Sequence, residues 1–213
     1  MLIEKSLCKE EFKPTHKGSV FEDETKLIKN LLNLHNEGKD IDLDPCYSTG
    51  RFYKTLNKPI YKFDINPVEG VKKADVKSIP LANESVQCII FDPPFMFGTH
   101  GQTKNNIMNK RFTMFNTFKD LEEMYKNALR EFHRLLKRKG IILFKCQDYT
   151  DSFSTMTHCL VWEWAIKQGF YAKDLAILVK PNKIYNPNLK QRHLRKVHTY
   201  YWVFEKCNVK GVE

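Results

Sequence analysis

Val86-Gln87-Cys88-Ile89-Ile90-Phe91, followed at once by Asp92-Pro93-Pro94-Phe95, decides how the rest of the chain is to be read. Six apolar and β-branched residues of strand length predict a buried strand, and the two prolines must stop it, because they lack backbone donors and hold φ near about −65°. A buried strand therefore ends in a rigid polar turn. The Asp92 carboxylate and the carbonyl of Pro93 beside it can accept both protons of an exocyclic amino group, and Phe95 offers a ring on which a nucleobase can stack.

Outward from this strand, apolar runs and helical periods alternate. Asp23 predicts an N-cap for a helix with Leu27, Leu31 and Leu34 on one face and Gly38 at its end. Ile41 to Asp44 predicts a short strand, Pro45 to Gly50 a turn feeding a helix near Arg51, and Pro59 to Phe63 a second strand ending at Asp64. Ala74-Asp75 follows after a variable link. Thr117, with Asp120, Glu122 and Glu123 in the first turns, predicts an N-cap for a long amphipathic helix through Leu121, Met124, Leu129, Phe132 and Leu135 to Lys139, closed by Gly140. Ile141 to Cys146 is a further strand, 154–168 a helix, and 170–179 and His198 to Glu205 two strands with no helix between them, which should pair antiparallel. Residues 1–22 read as an N-terminal extension. The loops 96–116 and 180–197 are too long for mere connections and are expected to face a substrate.

With 213 residues and 42% hydrophobic content, a single domain over 1–213 is expected. Lys and Arg number 35 against 25 acidic residues, a net +10 that favours an anionic partner such as nucleic acid. Six cysteines without a Cys-x-x-Cys pair imply neither a zinc site nor a disulfide framework. No apolar run approaches the ~18 residues of a membrane span and no leader-like segment opens the chain, so a cytoplasmic location without membrane partners is expected.

Asp44, Asp64, Asp75, Asp92 and Asp148 all fall at or just after expected strand ends. In open α/β sheets ligands bind beyond those ends. Asp44-Pro45-Cys46-Tyr47-Ser48-Thr49-Gly50, then Asp64, then Asp92-Pro93-Pro94-Phe95, resembles the S-adenosylmethionine-dependent nucleic-acid amino-methyltransferases, in particular the DNA adenine-N6 and cytosine-N4 group. The resemblance covers about residues 40–205. It implies an α/β, Rossmann-like seven-stranded sheet, mostly parallel with an antiparallel last strand and helices on both faces. It also implies S-adenosyl-L-methionine as cofactor. By the same resemblance Asp44, Pro45, Tyr47, Ser48 and Gly50 would hold its methionine part, Asp64 its ribose hydroxyls and Asp75 its adenine, while Asp92, Pro93, Pro94 and Phe95 would hold the target amine. One position departs from the family: Ser48 stands where the first glycine of the usual Gly-x-Gly lies, and a side chain there narrows close backbone approach.

Lys180 to Lys196 contains Lys183, Arg192, Arg195 and Lys196 without an acidic residue, and the loop after the motif adds Lys104, Lys110 and Arg111. These cations are the expected phosphate contacts. A target base would have to be extruded from a duplex or come from a single strand. DNA methylation at adenine N6 is the leading expectation. An RNA base methyltransferase and an inactive nucleic-acid-binding subunit of the same fold are the alternatives.

Overall fold

The computed structural model describes residues 18–97, 115–150, 153–180, 193–194 and 196–207. Lys104, Lys110, Arg111, Lys183, Arg192 and Arg195, the expected phosphate contacts, lie outside the described residues.

Strand β5, Val86–Phe91, is buried along almost its whole length and forms the middle of the sheet, as its unbroken apolar run requires. On one side it pairs in parallel with β2 (Leu43–Asp44), which is followed outward by β3 (Tyr61–Asp64) and β4 (Lys72–Lys73). On the other side it pairs in parallel with β6 (Leu136–Cys146). Next come β10 (His198–Lys206), antiparallel to both its neighbours, and β9 (Phe170–Val179). The last two strands pair antiparallel, as expected from a joining sequence without a helical period. Among the described residues the sheet has eight strands and not seven: β1 (Val20–Phe21), inside what reads as an extension, adds a parallel edge beside β9. Two residues of strand leave too little pattern for periodicity to reveal. A separate hairpin joins β7 (Tyr149–Thr150) to β8 (Ser154–Thr155).

Helix α1, Glu24–His35, covers one face, with Asp23 accepting the Lys26 N–H at 2.8 Å as its N-cap. It buries Leu27, Ile28, Leu31 and Leu32, whereas Leu34 is exposed, so the inward stripe is rotated toward Ile28 from the expected one. Helix α2, Phe118–Leu135, and α3, Thr157–Lys167, cover the other face. Thr117 caps α2 as expected, and Asp120 completes a reciprocal capping box with it. At the other end, α2 stops at Leu135, four residues before Lys139. Leu136 already pairs with Val86, and the next pair is Ile141 with Cys88, so residues 137–140 bulge out of β6. Lys139 turns at φ 60° and its carbonyl accepts the Gln87 side-chain amide. Neighbouring β5, invisible to helical periodicity, takes these residues from the helix. The expected helix after Gly50 is only a single 3-10 turn, Arg51–Lys54.

Phe91 is the hub of the core under β5, its ring packed against Phe132 and Phe144 at 4.9 Å each and against Tyr125 at 6.1 Å. Burying each such ring contributes about 2–3 kcal/mol. This clamps the strand that carries the Asp-Pro-Pro-Phe turn at its end.

Candidate active site

The strand order reverses between β2 and β5, since the chain returns from β4 to β5 on the far side of β2. The C-terminal ends of these two strands therefore bound the crevice in which such sheets bind ligands. Three of the five expected carboxylates gather there. Asp44, at the end of β2, is 2% exposed; its Oδ1 accepts the Cys46 N–H at 3.0 Å and its Oδ2 accepts the Tyr53 hydroxyl at 2.8 Å. Burial pushes its carboxyl up to about 7; the two hydrogen bonds hold it down, while Asp92 and Asp64 nearby raise it further.

Asp64, at the end of β3, accepts the Ser48 N–H through Oδ2 and the Asn66 N–H through Oδ1, each at 2.8 Å. It thereby ties β3 to the Pro45 to Gly50 turn. Ser48 stands in that turn at φ 49°, the left-handed region where glycine is at ease, which explains why a glycine would suit this position. Gly50, at φ 67°, faces the Tyr47 ring so closely that a Cβ would sit 2.5 Å from the Tyr47 hydroxyl oxygen. Tyr47 in turn stacks on Tyr53 at 5.2 Å and 6°. The glycine thus makes room for an aromatic side chain of the protein itself, a role its place in the motif did not suggest. Pro45 is buried beneath this turn.

Two of the five acids are engaged elsewhere. Asp75 lies just past β4, where its carboxylate caps its own turn by accepting the Lys77 N–H at 3.0 Å and pairs with Lys77 Nζ at 3.4 Å. Asp148, 4% exposed, takes the His158 Nδ1–H at 2.8 Å and the His158 backbone N–H at 3.2 Å. It caps α3, whose own N-cap residue Met156 supplies no side-chain hydrogen bond.

Asp92 closes β5, and Pro93 is buried directly after it. The carbonyl of Pro94 accepts the hydroxyl of fully buried Tyr125 at 2.9 Å, so α2 fixes the motif's turn from below. Phe95 is half-buried and lines a cavity with Lys145, Gln147, Lys180, His198 and Thr199. Lys196, also half-buried, approaches this cavity through its carbonyl, which accepts the Gln147 side-chain amide at 3.2 Å.

Lys145 is the residue that sequence reading passed over. It lies in β6 with its side chain 8% exposed, and its ammonium donates to Asp92 Oδ2 at 3.0 Å while pairing with Glu24 at 2.7 Å. Glu24, in the first turn of α1, also accepts the Tyr201 hydroxyl at 2.8 Å and pairs with Lys180 at 3.3 Å. Burial alone would pull the Lys145 ammonium down, but Asp92 and Glu24 outweigh it and its pKa ends above the ordinary value. For Asp92 burial prevails over Lys145, and its carboxyl is raised. The signal was present in the sequence: a lysine inside the apolar run Ile141-Ile142-Leu143-Phe144-Lys145-Cys146 cannot be buried without a partner.

Among the described residues, no helix is long and apolar enough to cross a membrane. No curated protein matches the chain. Among solved structures it is similar to a complex from Haloferax volcanii between the Trm112 methyltransferase activator and a protein assigned as a methyltransferase, with a TM-score of 0.50, 12% identity, and 81% of this chain and 84% of that one covered. It also matches a Thermus thermophilus protein assigned as a DNA modification methylase and complexed with S-adenosyl-L-methionine (TM-score 0.46, 16% identity, 66% of this chain and 56% of that one). A third is the PvuII DNA methyltransferase, cytosine-N4-specific (TM-score 0.47, 14% identity, 63% and 48%). The chain spans about half the length of these last two, at 56% and 48%. Identities this low speak for the fold alone. The sequence itself goes further: the family model for DNA methylases, N6_N4_Mtase, matches residues 86–211, more than half of the chain and including the whole Asp-Pro-Pro-Phe turn, and the protein belongs to that family.

Proposed function

We propose that the protein transfers a methyl group from S-adenosyl-L-methionine to the exocyclic amine of a nucleobase in nucleic acid, with adenine N6 in DNA the favoured target. The observation that carries this reading is the position of Asp92-Pro93-Pro94-Phe95: at the end of β5, beside the switch point, with an acidic rim on one flank and the Phe95 cavity on the other.

The rim suits the cofactor by its charge. Asp92 and Asp64 both push the Asp44 carboxyl up, so a ligand that brings positive charge beside Asp44 relieves that repulsion. Bound there, S-adenosyl-L-methionine would supply an electrophilic sulfonium methyl. Asp44 would orient its amino group, and Asp64, whose oxygens each keep a second lone pair beyond their backbone N–H, would accept from the ribose hydroxyls. Pro45, Tyr47, Ser48 and Gly50 would wall its methionine part, and Asp75 would face the adenine with the accepting capacity that Lys77 leaves. Asp92 and the Pro93 carbonyl would turn the lone pair of the target amine toward the methyl, Pro94 would hold the turn rigid, and Phe95 would stack on the base. The methylated amine becomes acidic, so positioning suffices and no strong base is needed. Lys104, Lys110, Arg111, Lys183, Arg192, Arg195 and Lys196 would contact phosphates along the approach.

The test is incubation with labelled S-adenosyl-L-methionine and separate DNA and RNA pools, followed by nucleoside mass spectrometry. N6-methyl-2′-deoxyadenosine in the DNA pool is expected. Label in RNA alone would move the substrate to RNA, and label in neither would overturn the reading.

A further inference from the structure

The cavity beside the motif contains two polar groups that the protein leaves incompletely used. Thr199, at the start of β10, is 7% exposed, and its hydroxyl has no hydrogen-bond partner among the described residues. A buried hydroxyl without a partner costs stability, and nothing in the surrounding strands recovers that cost. Lys145 carries three N–H donors, of which Asp92 and Glu24 occupy two. Asp92 in turn commits Oδ2 to Lys145 and has no hydrogen bond to Oδ1 among the described residues. Lys145 lines the cavity together with Phe95, and the Asp92 carboxylate lies directly behind it, its Oδ2 3.0 Å from the ammonium.

That pair is the complement of a particular half-edge. Adenine presents its N6 amine beside the bare ring nitrogen N1, and cytosine presents its N4 amine beside N3: donor, then acceptor. Guanine presents its amine between N1–H, which would set a donor against the lysine's donors, and N3, so its Watson–Crick edge does not match this pair. Resting on the methyltransferase reading, we propose that Lys145 reads the target base: with the amine on Asp92, its free N–H donates to the adjoining ring nitrogen, while the Thr199 hydroxyl takes a second polar atom of the same base. The Glu24 carboxylate holds the ammonium from behind and sets its direction. The pocket then accepts adenine or cytosine and opposes the Watson–Crick edge of guanine.

The experiment keeps the wild-type chain and alters the base. DNA and RNA pools are made with adenine or with 1-deazaadenine, and with cytosine or with 3-deazacytosine, analogues that keep the amine and replace the ring nitrogen by C–H. Methyl transfer to the deaza form of the base the enzyme uses should fall about ten- to a hundredfold in kcat/KM, the worth of a hydrogen bond to a charged group. Thr199→Val, which removes only the hydroxyl, should raise Tm while raising KM about two- to tenfold. A merely structural threonine would give the first effect without the second. In Lys145→Met, where it folds, the deaza penalty should vanish. Equal rates on natural and deaza pools, or an unchanged KM in Thr199→Val, would overturn the inference alone. Failure of the wild type on all natural pools would instead overturn the methyltransferase reading, and this with it.

Discussion

Replacing Lys145 by Met should destabilise the protein strongly and in a pH-dependent way. The ammonium lies 2.7 Å from Glu24 and 3.0 Å from Asp92, and methionine fills similar volume without the charge. Removing one member of a buried ion pair costs about 3–5 kcal/mol, because the remaining charge is stranded. Here two carboxylates are stranded, but their side chains keep 25% and 27% exposure, so water recovers part of the loss. We expect about 2–3 kcal/mol near pH 8, which for a chain of this size lowers Tm by roughly 5–10 °C. The sign with pH follows from Asp92. Its carboxyl is already raised by burial, and the variant loses the lysine that opposes the rise. A carboxyl raised in the folded state favours folding once protonated, so the deficit should shrink as pH falls through that raised value and be smaller near pH 5 than near pH 8. Urea unfolding of both proteins at the two pH values measures it. A deficit below about 1 kcal/mol near pH 8, or one of equal size at both values, would show that the ion triad does not couple α1 to the motif.

Cofactor affinity should itself depend on pH. Asp44, raised to about 7, is ionised only above that value, so binding of a cationic ligand should tighten as pH rises through 7. Tyr53→Phe removes a hydrogen bond that favours the carboxylate and should move this midpoint upward; calorimetry at several pH values would show an unmoved midpoint if Asp44 is not involved. Asp92→Ala should abolish turnover while leaving affinity for S-adenosyl-L-methionine within a few fold, whereas Phe95→Ala should weaken capture of the base by about 1–3 kcal/mol. Wild-type turnover by a folded Asp92→Ala protein would remove Asp92 as the amine clamp. Ser48→Gly should stabilise by about 0.5–1 kcal/mol, since the serine holds φ 49° at a cost that glycine escapes. A Tm that falls on this change would contradict the strain assigned to the turn.

Local chemistry was legible along the chain. Val86 to Phe91 could only be a buried strand, Asp-Pro-Pro could only end it, and Thr117 with Asp120 could only cap a helix, because each outcome depends on residues within a few positions of one another. The joining sequence before the last strand, which has no helical period, predicted its antiparallel course by the same kind of reasoning. What three dimensions decided was everything that depends on partners distant in sequence. The early stop of α2 is set by β5, some fifty residues away. Of five acids at strand ends, Asp44, Asp64 and Asp92 converge because β3, β2 and β5 are adjacent in the sheet, while Asp75 turns to Lys77 and Asp148 to His158. Lys145 meets Glu24 and Asp92 across gaps of 121 and 53 residues. A periodicity reports which face of an element is buried; which charges share that burial is settled only when strand order brings their ends together.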